Sequence, residues 1–137
     1  NDKPDGDDIR KFETLGTRSF ASEMAIGNAV DFHHVMGSKR KEERLRYLTD
    51  YWTSRVSDLK RVSFLQPKTK HMYCAISNIA IEGMKPADFA STLHSKYKIH
   101  TVAIDWENIH GTRVTPHVYT STKDLDRLVK AVREMAV

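Results

Sequence analysis

A chain of 137 residues is long enough for one domain with a hydrophobic core, and 39% hydrophobic against 29% charged residues is an ordinary globular balance. No apolar run reaches the length of a membrane span and no secretory signal is visible, so a membrane is not expected as a partner. The net charge of +4 gathers in residues 38–70, where ten Lys or Arg face four Asp or Glu, but Glu42 and Arg46 at i,i+4 on an amphipathic helix make this a solvated face, and nucleic acid is not expected either.

In chain order, residues 1–12 read as a polar leader or linker, rich in Asp. The block Glu13-Thr14-Leu15-Gly16-Thr17-Arg18-Ser19 comes next. Gly16 allows close backbone approach, and the hydroxyls of Thr17 and Ser19 with the amides of a helix start form a seat for an anion, although the same residues also suit a turn and a cap. Residues 20–36 predict a helix whose apolar positions, among them Phe20, Met24, Val30, Phe32 and Met36, run round most of its circumference, so it should be largely covered by something beyond one small sheet and be the hydrophobically exposed element of this chain alone. Gly37 suits its C′ position and Ser38 the N-cap of a second helix, with Leu45, Leu48, Trp52, Val56 and Leu59 on one seam.

Residues 61–65 and 72–81 predict two strands joined by a polar turn. The alternation in the second changes phase near Ser77-Asn78, as a bulge would make it do. Pro86 opens a helix with Phe89, Leu93 and Tyr97 on its inner face, ending near Lys98. A strand with Val102, Ile104 and Trp106 on one face follows, then a turn through Asn108 to Gly111 and a strand bearing Arg113. Ser121 and Asp124 have capping-box spacing at the head of a last helix carrying Leu125, Leu128, Val129, Val132 and Met135. The order α-α-β-β-α-β-β-α implies an α+β fold, with helices on one face of a mostly antiparallel sheet of about four strands.

The chemistry gathers at a few positions. A guanidinium at a strand end is suited to grip a carboxylate through two parallel bonds, so Arg113 is the first candidate site residue; the plain alternative is a surface arginine paired with Asp105 or Glu107. His117 could hydrogen-bond near a ligand or cap backbone groups at its corner, and Tyr119 is expected to pack its ring and bond backbone through its hydroxyl. Cys74 is the only cysteine, which leaves no internal disulfide and no cysteine-based zinc site. Inside a predicted strand it reads as a buried structural thiol, slow to react when folded. None of the seven histidines has metal spacing, and adjacent His33 and His34 point apart, so no metal site is expected.

The two blocks Gly16-Thr17 and Arg113-Val114-Thr115-Pro116-His117-Val118-Tyr119, the latter followed by Asp124-Leu125-Asp126-Arg127-Leu128, together resemble the C-terminal part of class V aminotransferases. The likeness is to the isopenicillin N epimerase-like branch of these fold-type I pyridoxal-phosphate enzymes, from about Ile9 onward. It implies that Arg113 binds the α-carboxylate of an amino-acid substrate, with His117 nearby. It also implies that Gly16 and Thr17 contact the cofactor phosphate held by the other subunit of a homodimer. The organisation it implies is a Gly-Thr block and connecting helix over 13–37 and the family's small domain over 38–137.

The family's cofactor-binding lysine and the large domain around it lie upstream, and none of the twelve lysines here has that context. The chain therefore reads as a fragment without a catalytic residue of its own, inactive alone, whose pyridoxal 5′-phosphate and large domain belong to the intact parent. The compartment is unassigned, with cytoplasmic as the default. Cysteine desulfurases of the same class use a loop cysteine nearer the substrate arginine, and the stretch from Lys98 to Thr112 has none. The alternative function is a stand-alone regulatory module that senses a small carboxylate through Arg113.

Overall fold

The computed structural model describes residues 6–12, 16, 17, 19–67 and 69–137. They fall in two compact units, Asn1–Gly37 and Ser38–Val137. In the first, a 3-10 turn over Ile9–Phe12 precedes helix α1, Phe20–Met36. Within this chain α1 has no buried residue, and Phe20, Met24, Ile26 and Phe32 all stand exposed, as expected of a helix too apolar all round for this chain alone to cover. Gly37, at φ 81°, ends α1 by donating its N–H to the His33 carbonyl.

The second unit is an α+β layer. Helix α2, Ser38–Thr53, opens one residue earlier than the cap reading of Ser38 implies. Strands β1 (Val62–Phe64) and β2 (Ser77–Ile81), helix α3 (Pro86–Tyr97), strands β3 (Val102–Trp106) and β4 (Ile109–Val114) and helix α4 (Thr122–Met135) follow. The sheet order is β1-β2-β4-β3, antiparallel throughout. The crossover through α3 thus carries the chain past the place that β4 fills on its return.

Register decides which residues face the helices. Ile79 pairs with Thr112 and with Phe64, and Val62 with Ile81. With Val114 these point to one side, where Leu48, Trp52 and Val56 of the α2 segment, Phe89 and Leu93 of α3 and Leu125, Leu128 and Val132 of α4 close a single core. Asn78, paired with Arg113, and Ile104, paired with Gly111, lie on the opposite face.

Helix α2 ends at Thr53, so Val56 and Leu59 of its expected seam lie beyond it, and two further differences bear on the site. Strand β2 starts at Ser77, and residues 73–76 form a loop after a 3-10 turn over Lys70–Met72. The phase change at Ser77-Asn78 is thus a strand start and not a bulge. Helix α2 draws off the backbone groups that a longer strand would need: Thr49 Oγ1 donates to the Cys74 carbonyl at 2.7 Å, and Arg46 donates to that of Tyr73. The second difference is the β3–β4 turn, which uses only Glu107 and Asn108, with Glu107 at φ 49°, and leaves Gly111 inside β4.

Helix α4 has the capping box that its sequence implies. Ser121 accepts from the Asp124 N–H at 3.2 Å, and the Asp124 carboxylate accepts from the Ser121 N–H and hydroxyl. These bonds, the Ser121 hydroxyl first, hold the Asp124 carboxyl below the usual carboxylate range. A lowered carboxylate contributes stability above its unfolded value and loses it as pH falls through the folded value. Ser121→Ala is therefore expected to lower the melting temperature by roughly 4–8 °C at pH 7. The gap from the parent should narrow below about pH 4, which thermal melts across pH 2–7 would check.

Candidate functional site

Arg113 lies near the C-terminal end of β4, on the sheet face away from the helices, directly across from Asn78 on β2. It is exposed and makes no hydrogen bond or ion pair among the described residues. The pairing with Asp105 or Glu107 that would have made it an ordinary surface arginine is not made: the register sets Asp105 on the other sheet face, where its Oδ1 is bonded to His110 Nδ1 at 2.6 Å. Arg113 instead lines an open cavity of about 530 Å³, walled by Leu65, Met72, Ile76, Ile104 and Ile109 and by Cys74 and Asn78. Tyr73, also in the wall, donates its hydroxyl to Asp50 at 2.9 Å, a bond that holds its phenol above the ordinary range and so keeps it neutral.

Cys74 departs from its expected place. It sits in the loop before β2, half-buried, with its thiol 4.0 Å from the Glu42 carbonyl, so the buried strand thiol is corrected to a loop thiol on the Arg113 cavity. His117 and Tyr119 lie on the corner between β4 and α4, exposed, with ring centroids 4.2 Å apart. The Tyr119 ring is 83% exposed and its hydroxyl bonds nothing among the described residues, contrary to the packed ring expected. Thr120 shapes the corner, accepting the His117 N–H on its hydroxyl at 2.9 Å and returning its own N–H to the His117 carbonyl.

At the other block, Gly16 has φ 83°, and nothing stands within 4 Å of where a Cβ would be. Thr17 is exposed, and Ser19 precedes α1 without a side-chain bond to the helix amides. Glu13 and Arg18 lie outside the described residues. No group of His, Cys, Asp and Glu among the described residues could hold a metal, and no described helix is long and apolar enough to cross a membrane.

A match to the family described as Aminotransferase class-V spans residues 6–129. The chain belongs to the class-V aminotransferase family. It is 25% identical over 131 residues to an isopenicillin N epimerase from Amycolatopsis lactamdurans, covering 95% of this chain and 33% of that protein. Its fold is similar to that of a cysteine desulfurase from Thermococcus onnurineus NA1, with a TM-score of 0.81 at 20% identity over 93% of this chain and 34% of the other. An alanine–glyoxylate aminotransferase from Nostoc sp. is similar at a TM-score of 0.62 and 16% identity, over 80% of this chain and 29% of the other. The chain thus spans about a third of the length of these relatives.

Sequence reasoning missed two residues of this class-V chain. Arg44, on α2, donates to the Val118 carbonyl at 3.4 Å and to the Thr120 carbonyl at 3.0 Å, tying the corner that carries His117 and Tyr119 to the helix layer. Nothing in a charged run marks one arginine as the one that reaches 74 residues ahead. Asn78 is 9% exposed, with Nδ2 donating to the His110 carbonyl and Oδ1 without a partner. Its signal was the polar pair Ser77-Asn78 inside an apolar run, which read as a bulge.

Proposed function

We propose that the chain is the C-terminal part of a pyridoxal-phosphate-dependent class-V enzyme acting on an amino acid, in which Arg113 grips the substrate carboxylate. The observation that carries this reading is an unpaired guanidinium at a strand end, on a cavity with mostly apolar walls. Such a group offers two parallel donors to a carboxylate, and a clamp on the carboxylate orients the substrate's α-carbon. When bound, the cofactor supplies an electron sink for cleavage of a bond at that carbon.

Gly16 and Thr17 fit a contact to the cofactor phosphate. The open space around Gly16 admits an anion close to the backbone, and the start of α1 has no side chain capping its amides. In the family arrangement this contact reaches the partner subunit of a homodimer. His117, exposed beyond the Arg113 strand, is assigned to the substrate side. Epimerisation and transamination both suit these roles.

Thr17→Ala in the intact parent is expected to weaken cofactor binding about tenfold to a hundredfold, the worth of one hydrogen bond to a charged group. Carboxylate recognition should be untouched. Fluorescence titration with pyridoxal phosphate would measure the first, and an unchanged cofactor affinity would remove Thr17 from the site. The 137-residue chain alone is expected to retain no cofactor covalently. Intact mass after borohydride treatment and dialysis checks this, and a cofactor-sized mass increase would refute it.

A further inference from the structure

We infer that the Arg113 cavity selects a particular class of acid: a carboxylate joined to an apolar body, with an N–H or O–H donor beside the carboxylate. This rests on the reading of Arg113 as the carboxylate clamp and adds what the rest of the cavity asks of the ligand. Three observations carry it. The volume of about 530 Å³ far exceeds what a carboxylate fills, so most of the ligand lies beyond the guanidinium. The surrounding wall is largely apolar, with Leu65, Met72, Ile76, Ile104 and Ile109, and it has no acidic side chain to receive a second cation or basic side chain to receive a second anion. Asn78 stands across the strands from Arg113, and its carbonyl oxygen is a buried acceptor with no partner. Buried acceptors are nearly always satisfied, so an unpaired one on a residue that lines a cavity marks a side chain that has only to turn to meet a ligand donor.

The geometry adds a constraint. Directly opposed residues in an antiparallel pair hold their Cβ atoms about 5 Å apart. A ligand carboxylate on Arg113 therefore brings its α- or β-substituent within reach of Asn78, and the apolar remainder extends over Ile104 and Ile109. An amino acid or hydroxy acid with a large apolar side chain satisfies all three demands. A short or doubly charged acid leaves the wall unfilled or buries a charge there.

Cys74, in the same wall, makes a built-in reporter of occupancy. The test titrates the 137-residue chain with acetate, 3-phenylpropanoate and N-acetyl-L-phenylalanine, reading affinity by calorimetry and occupancy by protection of Cys74 from iodoacetamide. Each buried methylene is worth about fourfold in affinity. Phenylpropanoate is therefore expected to bind more than tenfold tighter than acetate and to slow Cys74 alkylation. N-acetylphenylalanine, with its N–H, should gain a further several-fold that Asn78→Ala removes, while Asn78→Ala leaves phenylpropanoate unchanged.

Should Asn78→Ala fail to fold, the near-isosteric Asn78→Asp keeps the inference testable. A carboxylate at that position would pair with Arg113 and abolish binding of all three acids. Three acids of equal affinity, all weakened by Arg113→Ala, would overturn this inference and leave the clamp standing. Binding that ignores Arg113→Ala would overturn both. Unaltered affinities in Asn78→Asp would show that the asparagine does not face the site.

Discussion

Arg113→Ala in the intact parent is expected to lower kcat/KM by about 30-fold to several-thousand-fold, equivalent to roughly 2–5 kcal/mol of lost transition-state binding. Arg113→Lys is expected to recover little of it. A guanidinium presents two coplanar donors that match both carboxylate oxygens, whereas an ammonium is one compact charge, so lysine restores attraction without restoring orientation. Among the described residues no group competes for the guanidinium: Asp105, three strand positions past its β3 partner Val102 and so on the other sheet face, is bonded to His110. The loss should therefore fall on the substrate and not on folding, and thermal stability should stay within a few degrees of the parent. Cofactor affinity should also hold, since the phosphate contact is proposed for the Gly16-Thr17 segment. A kcat/KM within about threefold of the parent, under roughly 0.7 kcal/mol, would show that Arg113 is an ordinary surface residue.

Much of this layer could be read from the sequence, because periodicity reports burial wherever one face of an element is covered. Leu48 and Trp52 on one side, and Leu125, Leu128 and Val132 on another, specify their helices independently of the rest of the chain, and all of them are core residues, as is Val56 just past the end of α2. The capping box at Ser121 is local chemistry and was equally readable. The reading failed where long-range bonds decided the backbone. Cys74 and Tyr73 alternate as a strand would, yet their carbonyls accept from Thr49 and Arg46 on α2, more than twenty residues away. That displacement turned a structural thiol into a cavity residue.

The candidate site was readable in part for the same reason. Arg113 stands in a distinctive local block, whereas Asn78 acquires meaning only through the register that sets it across from Arg113. Helix α1 shows a limit of a different kind. Its apolar residues run round the helix as those of a buried one do, and none of them is buried in this chain. The pattern specifies that such a helix is to be covered without saying by what.

Gly111→Ala is expected to be among the most destabilising single-methyl changes in the second unit. A Cβ there would stand 2.6 Å from the Ile79 carbonyl oxygen and 2.9 Å from Asn78 Nδ2, and the residue's φ of 151° is one that alanine seldom adopts. Backbone of the adjoining strand cannot swing aside as the end of a long side chain can. The strain and the overpacking each cost about 1–3 kcal/mol. Together they should lower the melting temperature by roughly 10–20 °C at the usual few degrees per kcal/mol. Gly83→Ala is the control, since its φ of 80° is also unfavourable but its nearest atom is the Arg61 guanidinium at 3.6 Å. It should cost only the conformational strain, roughly 4–8 °C. Because Gly111 pairs with Ile104 on β3 and a Cβ there would meet the Ile79 carbonyl on β2, relief of the clash requires β2 and β4 to part, which also separates Asn78 from Arg113. Gly111→Ala should therefore lose affinity for apolar acids well below its own melting temperature, and Gly83→Ala should not. Equal melting shifts for the two variants would mean that the sheet yields at Gly111 at no cost, and that close strand packing is not what holds the arginine and the asparagine in register.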